Sequence, residues 1–570
     1  MPSRRHRATP PIGRPARSLL AWTLLAAVVL GVAGCDRAAR GTPSAVARTP
    51  PPPNVLWIIW DTVRHDRMSV YGSGASTTPH VAAWADAARV YENCVSVGST
   101  TVPSHASLFT GLLPSEHGAH NMQPVLDESF DTIAELAKRN GYATYLFSEN
   151  PYISADGKFD QGFDLSEHPW DQRYREQALR ITQGKIPDEQ RRRQLQASFQ
   201  RGTLPIRRIK AAGELAQQGV ESWLATLTTG RPFFIVLNYM EAHHPLLPPR
   251  KYRERFMTPE QVQRSYEGEL SWEAAWSYAV GLADLSDEQL ELIRLTYDAA
   301  LAELDDLFGG LLASLEKSGR LQDTIVILCS DHGEHLGEHH LLDHQYSVYE
   351  ELLRVPLIVH YPARVPPGRE TRPVTNMDLF PTLLELMNLP APTGWRSQAV
   401  SLLSPRERRV RLGEYPAAMM SQLRELKRMN PGFDPTRWTR ALRAYYDEPY
   451  KFIWGSDGAH ELYRLDSDPQ EQNNLLAAEP QVAKRMDEAL DAYLRSLQTT
   501  SRPRSPLPKM SREQRQRLSD LGYVGAGSDD DESAAVGDAP ATQPAKVEKP
   551  AEERAASRPA KAKKPRAGPP

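Results

Sequence analysis

The chain is poor in cysteine. Its 570 residues hold three, Cys35, Cys94 and Cys329. Sulfurs so few and so far apart build no disulfide framework, so the fold must rest on a hydrophobic core, which a chain of this length can bury. It also lacks charge of one sign: 68 basic residues face 71 acidic ones, a formal −3. That balance does not suggest nucleic acid as a partner. Long hydrophobic runs are missing as well. The uncharged apolar stretch Leu19 to Val32 is too short for a comfortable membrane span.

That stretch follows Arg4, Arg5, Arg7, Arg14 and Arg17, and the whole reads as a secretory signal. It ends Val32-Ala33-Gly34-Cys35, which resembles a bacterial lipoprotein box. The resemblance implies cleavage before Cys35 and lipidation of its sulfur; an uncleaved anchor is the alternative. Either way the body of the protein is expected outside the cytoplasm, tethered to a membrane of the cell envelope. Residues 1–35 are thus a leader, and 36–53, ending in four prolines, an extended tether. A main domain is expected over 54–393 and a smaller one over 394–526. Residues 527–570 are rich in Ala, Pro, Lys and acids and read as disordered.

Continuous apolar runs mark buried, parallel-type strands. Asn54 to Trp60, Phe233 to Asn238 and Thr324 to Leu328 are three, and Arg354 to Val359 a fourth. Helical patterns lie between them, at 81–88, 131–139, 288–315 and 377–387. The alternation implies an α/β fold with a large, mainly parallel sheet flanked by helices. Residues 165–215 are highly charged and read as a solvated helical insertion. In the smaller region Lys451–Trp454 and Glu461–Leu465 flank Gly455-Ser456-Asp457-Gly458, a hairpin signal, and 482–497 is an amphipathic helix, which makes this an α+β subdomain.

Three strands end in groups that bind metals: Asp61, then Glu241 with His243, then Asp331 with His332. Open α/β sheets place ligands at the carboxyl ends of their strands. Thr101 adds a hydroxyl at a helix entrance, with Pro103 in the first turn and Gly111 at the end. Singly, each is most simply a cap or turn residue. Together they make coherent chemistry. A divalent ion on Asp61, Asp331 and His332 could bind the Thr101 oxygen and lower its pKa. His105, His243 and His344 could bind ester oxygens or protonate a leaving group. Histidine-rich surroundings favour Mn²⁺ or Zn²⁺, while a site of mostly oxygen ligands accepts Ca²⁺ or Mg²⁺.

The same residues resemble the sulfatase family of the alkaline phosphatase superfamily. Asn54 through Asp61 is similar to its first strand and metal aspartate, and Thr78-Pro79-His80 to its Thr-Pro-Asn segment. Thr101-Val102-Pro103-Ser104-His105 stands in place of its Cys/Ser-x-Pro-Ser-Arg signature, continued by Leu108-Phe109-Thr110-Gly111. Ser330-Asp331-His332-Gly333-Glu334 resembles its second metal motif, and Glu461-Leu462-Tyr463, Asp468-Pro469 and Asn474-Leu475 its C-terminal strand and turn. The resemblance covers residues 54–525. It implies an alkaline-phosphatase-like fold and an ester hydrolase with a divalent metal on Asp61, Thr62, Thr101, Asp331 and His332. Substrate contacts would come from His105, Glu241, His243 and His344.

The departures redirect the chemistry. The family's nucleophile is a cysteine or serine oxidised to formylglycine; the branched β-carbon of Thr101 cannot become that aldehyde. His105 replaces the signature arginine, Thr62 a second aspartate, and His344 a lysine. This version resembles the superfamily's threonine-nucleophile members, among them phosphodiesterases and phosphoethanolamine transferases. A threonine ester must be displaced in line by water or an alcohol, which favours hydrolysis of phosphate mono- or diesters of a small molecule, lipid or glycan. Hydrolysis of sulfuric esters, phosphoryl transfer and a non-catalytic, lipid-tethered binding role are the alternatives.

Overall fold

The computed structural model describes residues 51–200, 210, 212–228, 230–268, 271–406, 410–497 and 516–518. Cys35, the leader, most of the tether and the tail 527–570 lie outside the described residues. Among those described, no helix is long and apolar enough to cross a membrane.

Strand β1 (Asn54–Trp60) is buried at every position after the first. An apolar run can be buried on both faces only in the middle of a covered sheet, and that is where β1 lies. Eight strands form the sheet in the order β11 (Gly368–Glu370), β2 (Arg89–Tyr91), β10 (Leu357–His360), β7 (Thr324–Ser330), β1, β6 (Phe233–Tyr239), β4 (Ala143–Ser148) and β5 (Leu165–Glu167). Five of the seven pairings are parallel. The exception is β10, antiparallel to both β7 and β2, so the sheet is mixed. The charged stretch from residue 165 opens with the short edge strand β5 before its helices, Arg175–Lys185 and Glu189–Gln200. Three residues at a sheet edge leave little pattern to read.

Two ribbons supplement the sheet: β3 (Cys94–Val95) with β12 (Val374–Thr375), and β8 (His335–Leu336) with β9 (Leu342–Asp343). A second sheet holds β13 (Val410–Tyr415), β14 (Leu442–Asp447), β15 (Tyr450–Gly455) and β16 (Glu461–Arg464), all antiparallel. The expected hairpin is β15–β16. The helix Pro480–Ser496 packs on this sheet through Met486 and Leu490, in a cluster that also takes in Val97, Leu113 and Met377. The smaller sheet therefore shares core with connecting segments of the main domain.

Register does the work of positioning. Trp60 pairs with Tyr239 on one side and Ser330 on the other. The next residues, Asp61 and Asp331, consequently leave neighbouring strands at one level. The helix Thr101–Thr110 approaches the same edge with all ten residues buried. Gly111 ends it at φ 66°, and a Cβ there would meet Phe380 at 2.8 Å, so glycine is required for both conformation and space. Phe109 anchors this helix. Its ring meets Trp57 of β1 at 5.9 Å, His105 at 6.2 Å and Phe159 at 6.1 Å, edge-on in each case. Phe109→Ala is expected to cost about 3–5 kcal/mol through the cavity it leaves. Urea denaturation should show this as a lower midpoint with an unchanged slope.

Candidate active site

Asp61, Asp331 and His332 come together with ligand atoms within 4.8 Å of one another, all fully buried. Thr101, the first residue of its helix, places Oγ 3.3 Å from His332 Nε2. His332 Nδ1–H donates to Gly333 O at 2.9 Å. That bond fixes the tautomer and leaves Nε2 as the acceptor turned to the cluster, as a metal-ligating imidazole requires. Gly333 must be glycine, since a Cβ would meet Glu351 O at 1.9 Å.

The backbone behind Asp331 is held by hydroxyls. Ser104 Oγ donates to Asp331 O at 2.7 Å, Ser96 Oγ donates to the same oxygen, and Asn376 Nδ2 donates to both serines at 3.0 Å. Ser104 is the serine of the Thr101 segment, so this segment both supplies the hydroxyl and locks the second aspartate. Thr62 and His332 give their N–H groups to Asp331 Oδ1 at 3.2 and 2.8 Å. Asn150 Nδ2 donates to Asp61 Oδ2 at 2.9 Å and lies 3.5 Å from Thr101 Oγ.

One oxygen of each aspartate is left over. Asp61 Oδ1 and Asp331 Oδ2 are buried with no hydrogen bond. Burial, then repulsion from Asp331, pushes Asp61 up to about 7. Asp331 is held at about 2 against its burial by the imidazoles of His332 and His105. Burial lowers His332 to about 4, so it is neutral near pH 7. Two orphaned carboxylate oxygens, a neutral imidazole nitrogen and a hydroxyl converge at one point. Such a donor set fits a divalent cation, which would relieve the repulsion between the two buried carboxylates.

The remaining expected residues divide. His105 Nδ1 lies 3.1 Å from Thr101 O and 3.3 Å from Asp331 Oδ2, and its Nε2 lies 3.4 Å from Asn238 Nδ2. Its ring is used up in holding the site, and Asp331 raises its pKa against burial. Thr62 is left-handed (φ 61°), and its hydroxyl donates to Asp61 O at 2.7 Å. The side chain is spent on the backbone, and the N–H is what serves Asp331. His243 and His344 stack edge-on at 5.0 Å, and His344 lies 4.6 Å from the His332 ring. Burial, then the charge of Lys210, holds His243 well below its ordinary value. Asp343 and then Glu334 raise His344 well above its own, against burial. Glu241 does not join them. Its carboxylate accepts from Gly213 N at 3.0 Å and sits in the field of Lys185. The turn carrying it is pinned by Lys210, whose Nζ donates to Met240 O and His243 O at 2.9 and 2.6 Å.

Asn150, Asn238, Glu334 and Asp343 belong to this region and were not assigned a role from sequence. The available signal was position. Asn238 is a polar residue one place before the end of an apolar strand, and Asn150 follows the end of β4 by two residues.

This arrangement defines an ester hydrolase of the alkaline phosphatase superfamily. Residues 53–389 match the Sulfatase family model, and 337–499 match that for the C-terminal region of N-sulphoglucosamine sulphohydrolase. The chain belongs to the sulfatase family. It is 24% identical to the uncharacterized sulfatase YidJ of Escherichia coli, over 79% of this chain and 90% of that one. Arylsulfatase K of Bos taurus is also 24% identical, over 84% and 88% respectively. Among solved structures, the phosphonate monoester hydrolase of Agrobacterium radiobacter superposes with a TM-score of 0.61 at 20% identity, covering 80% of this chain and all of that one.

Chelation supplies a test of the cation fit. An empty site disfavours ionised Asp61 in the folded state, whereas the unfolded carboxylate ionises near its ordinary value of 3.8. A raised carboxylate pKa makes stability fall as pH rises between the two values. The melting temperature of chelated protein should drop below that of metal-loaded protein, the gap widening from pH 4 to 7. In Asp61→Asn the pH-dependent part of the gap should vanish. An equal gap at both pH values in the wild type would contradict the assignment.

Proposed function

We propose that this sulfatase-family hydrolase of anionic esters cleaves phosphate mono- or diesters through a covalent ester on Thr101. The observation that carries the reading is a threonine hydroxyl, 3.3 Å from His332 Nε2, where formylglycine chemistry would need a cysteine or serine. Oxidation of a secondary alcohol stops at a ketone, so an aldehyde hydrate that expels its own ester is out of reach. Displacement in line remains, and it suits phosphorus. That a structural neighbour is named a phosphonate monoester hydrolase supports this reading. The sulfatase names among its relatives favour sulfuric esters as the second reading.

Asp61, Asp331 and His332 would hold a divalent cation, Mn²⁺ or Zn²⁺ by donor type. Bound there, it supplies charge neutralisation at the ester oxygens and a lowered pKa for the nearby hydroxyl. The chain's own residues do the rest. Thr101 Oγ attacks phosphorus from the helix N-terminus, where unpaired N–H groups favour an anion. The bond from phosphorus to the leaving oxygen breaks, the proton lost by Thr101 Oγ ends on that oxygen, and the phosphoryl ester of Thr101 forms. Water then attacks phosphorus and releases Thr101. His243 donates Nδ1–H to His244 O at 2.6 Å and is kept neutral by burial and the charge of Lys210, so it would accept a hydrogen bond without taking a proton; the proton of that water passes to the departing Thr101 oxygen. His105 is a positioning residue that fixes Asp331 and the start of the helix. The leader and the box ending at Cys35 support export and lipid tethering at the cell envelope, toward lipid, glycan or small-molecule esters.

The purified chain should hydrolyse aryl phosphate mono- or diesters faster than an aryl sulfate when supplied with Mn²⁺ or Zn²⁺. Thr101→Ala should lose at least about a thousandfold in kcat; Thr101→Ser should keep measurable turnover. A phosphoryl group trapped on Thr101 would appear by mass spectrometry after acid quench. Sulfate turnover far above phosphate turnover would decide for the second reading, and full activity in Thr101→Ala would end the nucleophile assignment.

A further inference from the structure

A second group of ligand-type side chains lies beside the first. Glu334, Asp343 and His344 bring one ligand atom each within 4.8 Å of one another, and all three are buried. The two groups adjoin, since His344 packs on His332 with ring centroids 4.6 Å apart. Glu334 follows His332 by two residues. Asp343 is left-handed, with φ 70°, a conformation that aspartate tolerates better than most residues other than glycine.

An internal ion pair does not account for this group. His344 Nδ1 lies 2.6 Å from Asp343 Oδ1 but 3.8 Å from Glu334 Oε1. Neither oxygen of Glu334 receives a hydrogen bond, and His344 Nε2 has none either. Glu334 is only 3% exposed. A buried carboxylate with both oxygens unsatisfied is costly unless something charged completes it.

An opening adjoins the group. Glu334 and Asp343 line a cavity of about 490 Å³, along with Leu292, Ile293, Leu336 and Leu342.

We infer that Glu334, Asp343 and His344 form a second divalent-cation site next to the one on Asp61, Asp331 and His332. Two carboxylates and one imidazole suit Mn²⁺ or Zn²⁺. Paired metals some 3.5–4 Å apart clamp both oxygens of a displacement at phosphorus. The inference rests on the reading of the first group as a cation site.

The test uses the full chain, stripped by chelation and titrated with Mn²⁺ alone. Bound metal is counted by atomic emission after gel filtration, and spin coupling is read by low-temperature electron paramagnetic resonance. Wild type and Thr101→Ala should each bind two equivalents and show a coupled spectrum. Glu334→Gln should bind one and lose the coupling; Asp343→Asn gives the same reading should Glu334→Gln fail to fold by circular dichroism. One equivalent in the wild type, lost in Asp61→Asn, would overturn this inference and leave the first site standing. No bound metal at all would overturn both. Two equivalents retained in a folded Glu334→Gln would place the second ion elsewhere and overturn the assignment.

Discussion

Asp61 and Asp331 leave adjacent parallel strands at the same level, and both are sealed from water. Much of this molecule follows from that one constraint. Two carboxylates in a low-dielectric place repel and are poorly solvated. The fold answers with donors on one oxygen of each carboxylate and on the Asp331 carbonyl, and leaves the other oxygen of each without a hydrogen bond. The two remaining oxygens face the point where Thr101 and His332 also arrive, a donor set that suits a cation. The chemistry and the largest local electrostatic cost therefore occupy the same few ångströms.

The Thr101 segment is best understood as a brace as much as a nucleophile carrier. Ser104 grips the Asp331 carbonyl, His105 bridges the Asp331 carboxylate and the Thr101 carbonyl, and Phe109 presses the helix onto β1. Replacement of an arginine by His105 fits this role. A ring closed between Asp331 and Asn238 has little left for substrate. On the proposed function, recognition of the anionic ester falls to the cation centre and to His243 and His344 on the other side.

Much of this was legible in the sequence because buried parallel strands write themselves as apolar runs. Asp61, Asp331 and His332 each follow such a run, and the Thr101 helix is bracketed by Pro103 and Gly111. What stayed hidden depends on direction. Glu241 also closes an apolar strand, yet its carboxylate turns to Gly213 N and Lys185. Asn150 and Asn238 carry no charge to mark them, and both reach Asp61 only because β4, β6 and β1 lie side by side. β13 and β14 are mostly buried, yet Arg411, Gly413 and Glu414 in one and Arg443 in the other break the apolar run that would mark a strand. Nothing in its composition separates β10, which runs against its neighbours, from the parallel strands beside it.

Residue type and local pattern by themselves determined the α/β class, the carboxylates and imidazoles available for a cation, and the exclusion of formylglycine by the branched side chain of Thr101. These are properties of single residues and short periods, and they survive without a fold. Tertiary structure alone decided which oxygens remain unsatisfied, that His105 braces the site, that Glu241 faces away, and that Glu334 and Asp343 stand against His344. Each of those depends on residues distant in sequence meeting at fixed register, because a hydrogen bond or a repulsion acts over a few ångströms whatever length of chain lies between.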